Sequence, residues 1–254
     1  MRLLGIETAT DLVGAAVGDG DDVLAATWSL GRRRHAEALG PAVEQVLEAA
    51  GLELGGLEAV AVDVGPGLFT GLRVGVATAQ GLAEGLGVGV VAATSLEILA
   101  WAAGSSGHRG PVVAVVDARR GEVFAGRFDL RAGEAPEAVA EPALCTPGGL
   151  VALLSEAAAG AGGAPVLVVG DGAVRYAEVV DGVAGVVRAG AALAHPSPAA
   201  LVALAARRLA AGEAGVGPDE VRPRYLRQAD ARINWAERRL AGPVDPGGGA
   251  GCGP

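Results

Sequence analysis

Lysine is absent from this chain of 254 residues; all 20 of its basic side chains are arginine. No lysine Schiff base can form, and no P-loop lysine is there to reach a nucleotide's phosphates. Positive charge is short overall, with 29 acidic residues and a net charge of −9. A protein that holds nucleic acid unaided usually carries a basic face. Here the basic runs are Arg32-Arg33-Arg34 and the pairs Arg119-Arg120 and Arg238-Arg239. Solvated ends of helices and loops are the plainer reading of them. Cysteine is nearly missing: Cys145 and Cys252 stand far apart and make neither a disulfide framework nor a zinc pattern. Aromatics are only 3 %, so the 51 % of the chain that is hydrophobic must build its core from Ala, Val and Leu, with Gly between them. Long uncharged apolar runs are missing too. The most apolar stretch, residues 88–103, is broken by Thr94, Ser95 and Glu97, which leaves nothing to span a bilayer. Glu7 comes too early for a signal peptide. These absences predict a protein of the reduced cytoplasm with no membrane role.

What is present is glycine, 42 residues of it without a fibre-like period, marking turns and close packing. Residues 3–9 predict a buried strand, 12–18 a second and 22–30 a third, with Gly18-Asp19-Gly20-Asp21 as a turn. A helix follows over Arg34–Ala50, with Leu39, Val43, Val46, Leu47 and Ala50 on one face and Gly51 ending it. Residues 58–64 predict a strand, 65–69 a Gly/Pro loop, and Thr70–Leu86 a helix. A strand over 88–92 leads to a helix over 94–103 that Thr94 or Ser95 can cap. After a linker at 104–110 the pattern restarts. Strands are predicted at 111–117 and 122–129 about a turn at Arg120-Gly121. A helix at 147–159, a strand at 165–170 and a helix at 198–211 follow. The expected division is an N-terminal domain over 1–104, a C-terminal domain over 111–240 and a disordered Gly/Pro tail over 243–254.

Three strands, a helix, a strand and a helix, then a second half that reopens with paired strands, predict two related α/β halves with the second reduced. That is the order of the actin/Hsp70/sugar-kinase (ASKHA) superfamily. A Rossmann fold differs, since its first strand leads straight into a helix.

The segment Gly65-Pro66-Gly67-Leu68-Phe69-Thr70-Gly71-Leu72-Arg73 lies between a predicted strand and helix, where backbone N–H groups can hold phosphate. Its spacing is not G-x-G-x-x-G, and Pro66 removes a donor, so a structural loop is the plainer reading. Asp117 ends a strand, where it either nears a phosphate or caps a turn. Gly170-Asp171-Gly172-Ala173 after an apolar strand has the form of a remnant adenosine loop. No G-x-S-x-G elbow exists, and no Ser or Cys has a recognisable His partner, which speaks against a peptidase.

Taken together, several segments resemble the TsaB (YeaZ) family over roughly residues 1–230. They are Gly5–Thr10, Gly65–Arg73, Gly75–Ala83, Arg34-His35-Ala36-Glu37, Asp117–Phe124 and Pro223-Arg224-Tyr225-Leu226-Arg227. The resemblance implies the ASKHA fold and a place in bacterial tRNA N6-threonylcarbamoyladenosine synthesis, where a threonylcarbamoyl group passes to adenosine 37. It implies a non-catalytic subunit that docks on a TsaD-like transferase and works with a TsaE-like ATPase and a TsaC-like enzyme. It implies that tRNA is reached only through the complex, and it leaves open a homodimer of the chain alone. Position 7 is Glu where the family usually has Asp, and position 68 is Leu where Ser is usual. The TsaD paralogue carries an H-x-x-x-H metal pair on the helix that begins here at His35. Leu39 stands where the second His would be, so no metal is expected.

A residual nucleotide site would draw on Glu7, Gly65, Gly67, Thr70, Asp117, Gly170 and Gly172, with at most weak ATP or ADP binding inside the complex. An ATP-binding or ATP-hydrolysing enzyme of the superfamily is the alternative reading. For the partner interface, Gly71, Gly75, Thr78, Leu82 and Gly85 form a small stripe at about 100° per residue, beside Leu72, Val76, Ala79 and Ala83. With Leu39, Val43 and Leu47 of the first helix, the core of these stripes (Gly71, Leu72, Gly75, Val76, Ala79) is the expected docking surface. Packing against the chain's own sheet is the competing explanation.

The charge balance gives one direct expectation. The purified chain alone binds tRNA weakly or not at all, because a net charge of −9 repels phosphate. A filter-binding titration at moderate salt checks this. Tight binding that falls steeply with salt and depends on Arg32–Arg34 would refute it.

Overall fold

The computed structural model describes residues 1–31 and 35–227. The basic run Arg32–Arg34, the pair Arg238-Arg239, Cys252, the tail from Pro243 and the end of the expected C-terminal domain lie outside the described residues.

The first half opens with β1 (Arg2–Glu7), β2 (Leu12–Asp19) and β3 (Asp22–Leu30), followed by α1 (His35–Ala50). It continues through β4 (Ala59–Asp63), α2 (Phe69–Leu86), β5 (Gly89–Ala93) and α3 (Ser95–Ser105). Its sheet has the order β3-β2-β1-β4-β5. β1 is antiparallel to β2 and parallel to β4, which is parallel to β5. β1 and β4 are apolar on both faces because both faces are covered. Leu4 and Ile6 of β1 pack with Leu39, Val43, Val46 and Leu47 of α1 and Val76, Ala79 and Ala83 of α2.

The second half contains β6 (Gly110–Arg119), β7 (Glu122–Leu130), β8 (Glu137–Ala138), β9 (Ala143–Cys145) and α4 (Pro147–Gly160). It ends with β10 (Val166–Val169), α5 (Asp171–Arg175), α6 (Ala177–Asp181), β11 (Val186–Arg188) and α7 (Pro198–Ala210). The sheet order is β11-β10-β6-β7-β8, with β9 also beside β7. β6 is antiparallel to β7 and parallel to β10, which is parallel to β11. Order and direction repeat the first sheet, with β6 standing for β1 and β10 for β4. The reduction is visible in its parts: α5 and α6 have 5 residues each where α2 has 18. Two related α/β halves, the second reduced, are therefore the architecture of the described residues.

The helix that closes each half does not cover its own sheet alone. α3 follows β5 but packs on β6, β7 and β10, while α7 follows β11 but packs on β1 through β5. Leu96, Leu99, Ala100 and Ala103 of α3 lie with Val112, Ala114 and Val116 of β6. Leu201, Leu204 and Ala205 of α7 lie with Ala61 of β4, and Val202 and Ala206 with Leu3 and Ala59. The other face of the second sheet takes Leu150, Leu154 and Ala157 of α4.

Local chemistry fixes the element ends. Thr94 closes a capping box with Glu97 at the start of α3. Arg208 of α7 reaches the same Glu97 at 2.6 Å and the Ala92 carbonyl at 2.9 Å, so the cap also joins the two exchanged helices. Arg120 (φ 56°) and Gly121 (φ 82°) form the two-residue β6–β7 turn, as a type I′ turn requires. α3 runs to Ser105, into the expected linker, because its apolar face continues to Ala103 against β6. The short elements between residues 171 and 188 carry too few residues to show a period and are not assigned by sequence. Among the described residues no helix is long and apolar enough to cross a membrane.

Leu204 of α7 is fully buried under the first sheet. Leu204→Ala is expected to cost about 2–5 kcal/mol of stability. Urea denaturation measures the loss, and hydrogen exchange should report it in the amides of β1 and β4, far away in sequence.

Candidate functional site

Two hairpin turns meet where the halves face each other: Thr8–Asp11 between β1 and β2, and the residues around Arg119 between β6 and β7. Arg119 adopts φ 62° at a register shift in the ladder, which aims its side chain across the gap. Its guanidinium lies 2.8 Å from Asp11 Oδ1 and 3.0 Å from Asp117 Oδ2. Arg175 approaches the same Asp117 oxygen at 3.6 Å. Asp117 N–H donates to Asp171 Oδ1 at 2.9 Å, and burial pushes the Asp171 carboxyl above its usual range. Thr10 Oγ1 sits 3.3 Å from His195 Nδ1. The strand-end acids are thus engaged by the chain's own arginines.

A second acidic pair lies at the carboxyl ends of the parallel neighbours β1 and β4. Glu7 and Asp63 are both wholly buried. Ala9 N–H donates to Glu7 Oε1 at 2.8 Å; Gly65 N–H and Ser95 Oγ donate to Asp63 Oδ1 at 2.7 and 2.8 Å. Burial pushes the Asp63 carboxyl up to about 6, and it raises Glu7 well above the usual range, with the Asp63 charge adding to the shift.

The glycines of the 65–75 segment serve close backbone approach within the chain. A Cβ on Gly67 would lie 2.1 Å from the Ala9 carbonyl oxygen, one on Gly71 2.1 Å from that of Thr8, and one on Gly75 2.2 Å from Thr8 Oγ1. Gly170, at φ 106°, and Gly172 are pressed likewise against Val115 of β6. Gly65, at φ 100°, abuts Leu72 and the Arg224 carbonyl. The residues expected to form a residual nucleotide site are placed in different surroundings. Glu7 is sealed off, Asp117 is held by two arginines, and the glycines contact protein; Thr70 alone is exposed.

The expected docking residues also need correction. Leu39, Val43, Leu47, Leu72, Val76 and Ala79 are core, and Gly71 and Gly75 face Thr8. An inward stripe and a docking stripe share one composition, small and apolar, so periodicity cannot separate them. His35 is buried too, its Nε2 2.8 Å from the Thr10 carbonyl, and it ties the start of α1 to the first hairpin turn. Among the described residues no group of three or more His, Cys, Asp or Glu is placed to hold a metal ion.

The outward faces of α1 and α2 carry a different set. Gly40, Gly81 and Gly85 are exposed, with nothing within 4 Å of where a Cβ would stand. A cleft of about 730 Å³ runs between the helix starts, lined by His35 and Ala36 of α1, by Phe69, Thr70 and Val74 of α2, and by Arg119. Beside it Arg73 lies 3.9 Å over the Phe69 ring and donates from Nε to the Tyr225 hydroxyl at 3.2 Å. The two rings are 5.2 Å apart. Sequence reading passed over this cluster because Arg73 and Tyr225 are 152 residues apart.

Residues 29–235 match the family model TsaD: tRNA N6-adenosine threonylcarbamoyltransferase. The chain is 30 % identical to the tRNA threonylcarbamoyladenosine biosynthesis protein TsaB of Bacillus subtilis, over 93 % of this chain and 99 % of that protein. The chain belongs to the TsaB (YeaZ) family. TsaB of Escherichia coli is 32 % identical over 56 % of this chain and 63 % of its own length. The structure of YeaZ from Pseudomonas aeruginosa superposes with a TM-score of 0.76 at 30 % identity, covering 89 % of this chain and 99 % of that one. The YeaZ likeness and the TsaD match together place the two related halves in the ASKHA class.

Gly75 distinguishes an inward stripe from an outward one. Gly75→Ala forces a methyl against Thr8 Oγ1 and is expected to cost about 1–3 kcal/mol, despite alanine's better helix propensity. Thermal denaturation checks it; an unchanged or raised Tm would mean the helix stands off β1.

Proposed function

We propose that this TsaB-family chain is a non-catalytic, complex-forming subunit of tRNA N6-threonylcarbamoyladenosine synthesis that docks on a TsaD-like transferase. The observation that carries this reading is the open glycine face of α1 and α2. Glycine inside a helix costs about 1 kcal/mol relative to alanine. At Gly71 and Gly75 that cost is offset by close packing on Thr8. At Gly40, Gly81 and Gly85 no atom of the described residues takes the space. A helix from another protein can lie there at short range.

The TsaD match over residues 29–235 supports equivalent helices in the transferase, so the two pairs can meet as a four-helix bundle. The Phe69–Arg73–Tyr225 cluster at one end of this face has the residue types that dominate interface energetics. The same face would serve a homodimer when the transferase is absent. A TsaE-like ATPase and a TsaC-like enzyme complete the proposed pathway, with tRNA held through the complex. ATP binding by this chain itself is the weaker reading, because Arg119 spans Asp11 and Asp117 where phosphates and their metal would enter.

Gly81→Glu separates docking from folding. Glutamate is the better helix former, so the variant should keep its fold and gain about 0.5–1 kcal/mol. It should lose co-purification with the transferase. A folded variant by circular dichroism that still binds would put the interface elsewhere.

A further inference from the structure

Glu7 and Asp63 are the least explained polar groups in the described chain. β1 and β4 run parallel in a register that pairs Ile6 with Val62, so the next residues stand side by side. Both side chains are wholly buried there, and each acts on the ionisation of the other. One oxygen of each takes donors, as described above. The others, Glu7 Oε2 and Asp63 Oδ2, are buried with no partner among the described residues. Two buried carboxylates side by side need a counter-charge. The surrounding groups do not supply one. Glu97 of α3 is engaged by Arg208 of α7, and Asp11 by Arg119 of the second hairpin. His35 of α1 and His195 both meet Thr10, and Arg224 turns its guanidinium to Glu141. A single O–H donated by Glu7 to Asp63 would satisfy both orphan oxygens at once.

We propose that Glu7 and Asp63 share one proton at neutral pH, and that this proton seats the first turn of α2 and makes partner docking sensitive to alkaline pH. Asp63 is the charged member, since it already accepts from Gly65 N–H and Ser95 Oγ. Glu7 carries the proton. The raised position of both groups agrees with that division.

From the pair, hydrogen bonds lead to α2. Glu7 holds Ala9, whose carbonyl accepts from Leu68 N–H at 2.6 Å, and Thr8 Oγ1 donates to the Gly71 carbonyl at 2.8 Å. Asp63 holds Gly65, whose carbonyl accepts from Ser95 N–H at 3.0 Å. When the proton leaves, two like charges face each other in the interior, and the 65–68 loop is the segment they push. Phe69, Thr70 and Arg73 follow directly, at the start of the proposed docking helix. The docking part of the inference rests on the function proposed above; the shared proton does not.

The sign follows from proton counting. The unfolded chain releases this proton in the ordinary carboxylate range, while the folded chain keeps it. Folded protein therefore binds one more proton near neutrality, and stability falls as pH rises. The expected slope is about tenfold in the folding equilibrium constant per pH unit above 6, until the folded pair itself titrates.

Denaturation of the full chain and of Glu7→Gln at pH 6, 7 and 8 reads that slope. The glutamine amide can donate to Asp63 as the protonated acid does, and every other titrating group cancels in the comparison. The wild type should lose about tenfold per unit more than the variant; equal slopes overturn the proposal. Should Glu7→Gln fail to fold, Asp63→Asn carries the same comparison with the roles exchanged. Isotope-edited infrared spectroscopy of wild type at pH 7 needs no variant, and the absence of a protonated-carboxyl C=O band overturns the proposal. Co-purification with the transferase should weaken from pH 7 to 9 for wild type but not for Glu7→Gln. A correct slope and band with pH-independent docking would keep the proton and refute its link to the interface.

Discussion

A β-sheet has two faces, and each half of this chain supplies helices of its own for only one of them. α1 and α2 cover one side of the first sheet, and α4 with the short α5 and α6 cover one side of the second. The remaining faces lie toward each other's territory and are closed by exchange, α3 on the second sheet and α7 on the first. Everything at the centre of the molecule depends on that exchange. It sets the two hairpin turns opposite each other, brings Arg119 to Asp11, and seals Glu7 and Asp63 beneath Ser95. The Arg208–Glu97 pair ties the two exchanged helices together at only 13 % and 25 % side-chain exposure, so it is better shielded from solvent than a surface pair.

The centre that results is bridged by the chain's own side chains, beside the cleft that Asp11 and Arg119 help to line. In a fold of two related halves, the gap between the hairpin turns is the natural place for a ligand's charge. Here the acids are paired within the chain: arginine spans two aspartates, and backbone carbonyls occupy the space that glycines leave. On the outside, along α1 and α2, three glycines have no neighbour among the described residues where a Cβ would stand.

Much of the fold was legible in the sequence because its long elements are strongly patterned. The run of apolar residues in β1, the 3.6-residue period of α1 and the Gly51 stop each carried their own signal. The boundary at Thr94 was legible from capping chemistry. The elements from residue 171 to 188 were not, since strands and helices of 3–5 residues show no period. The candidate site was less legible than the fold. Periodicity identified the small stripe Gly71–Gly75 but could not tell which way it faced; only the approach of Thr8 decides that. Glu7 and Asp63 are 56 residues apart, and nothing local announces that they stand side by side. The Phe69–Tyr225 contact is hidden for the same reason.

The exchange of α3 and α7 has a consequence for how the chain comes into being. A ribosome delivers β1 through β5 early, with α1 and α2 to cover one face of their sheet. The cover for the other face, α7, ends at Ala210, so it emerges only after the second half has been made. Until then Leu3, Ala16, Ala59 and Ala61 have no partner across the sheet. The nascent first half must wait with an apolar surface exposed, and such surfaces are where chaperones bind and where neighbouring chains aggregate. The two halves repeat one another in topology, but they cannot mature one after the other. The first sheet is closed only when α7 arrives.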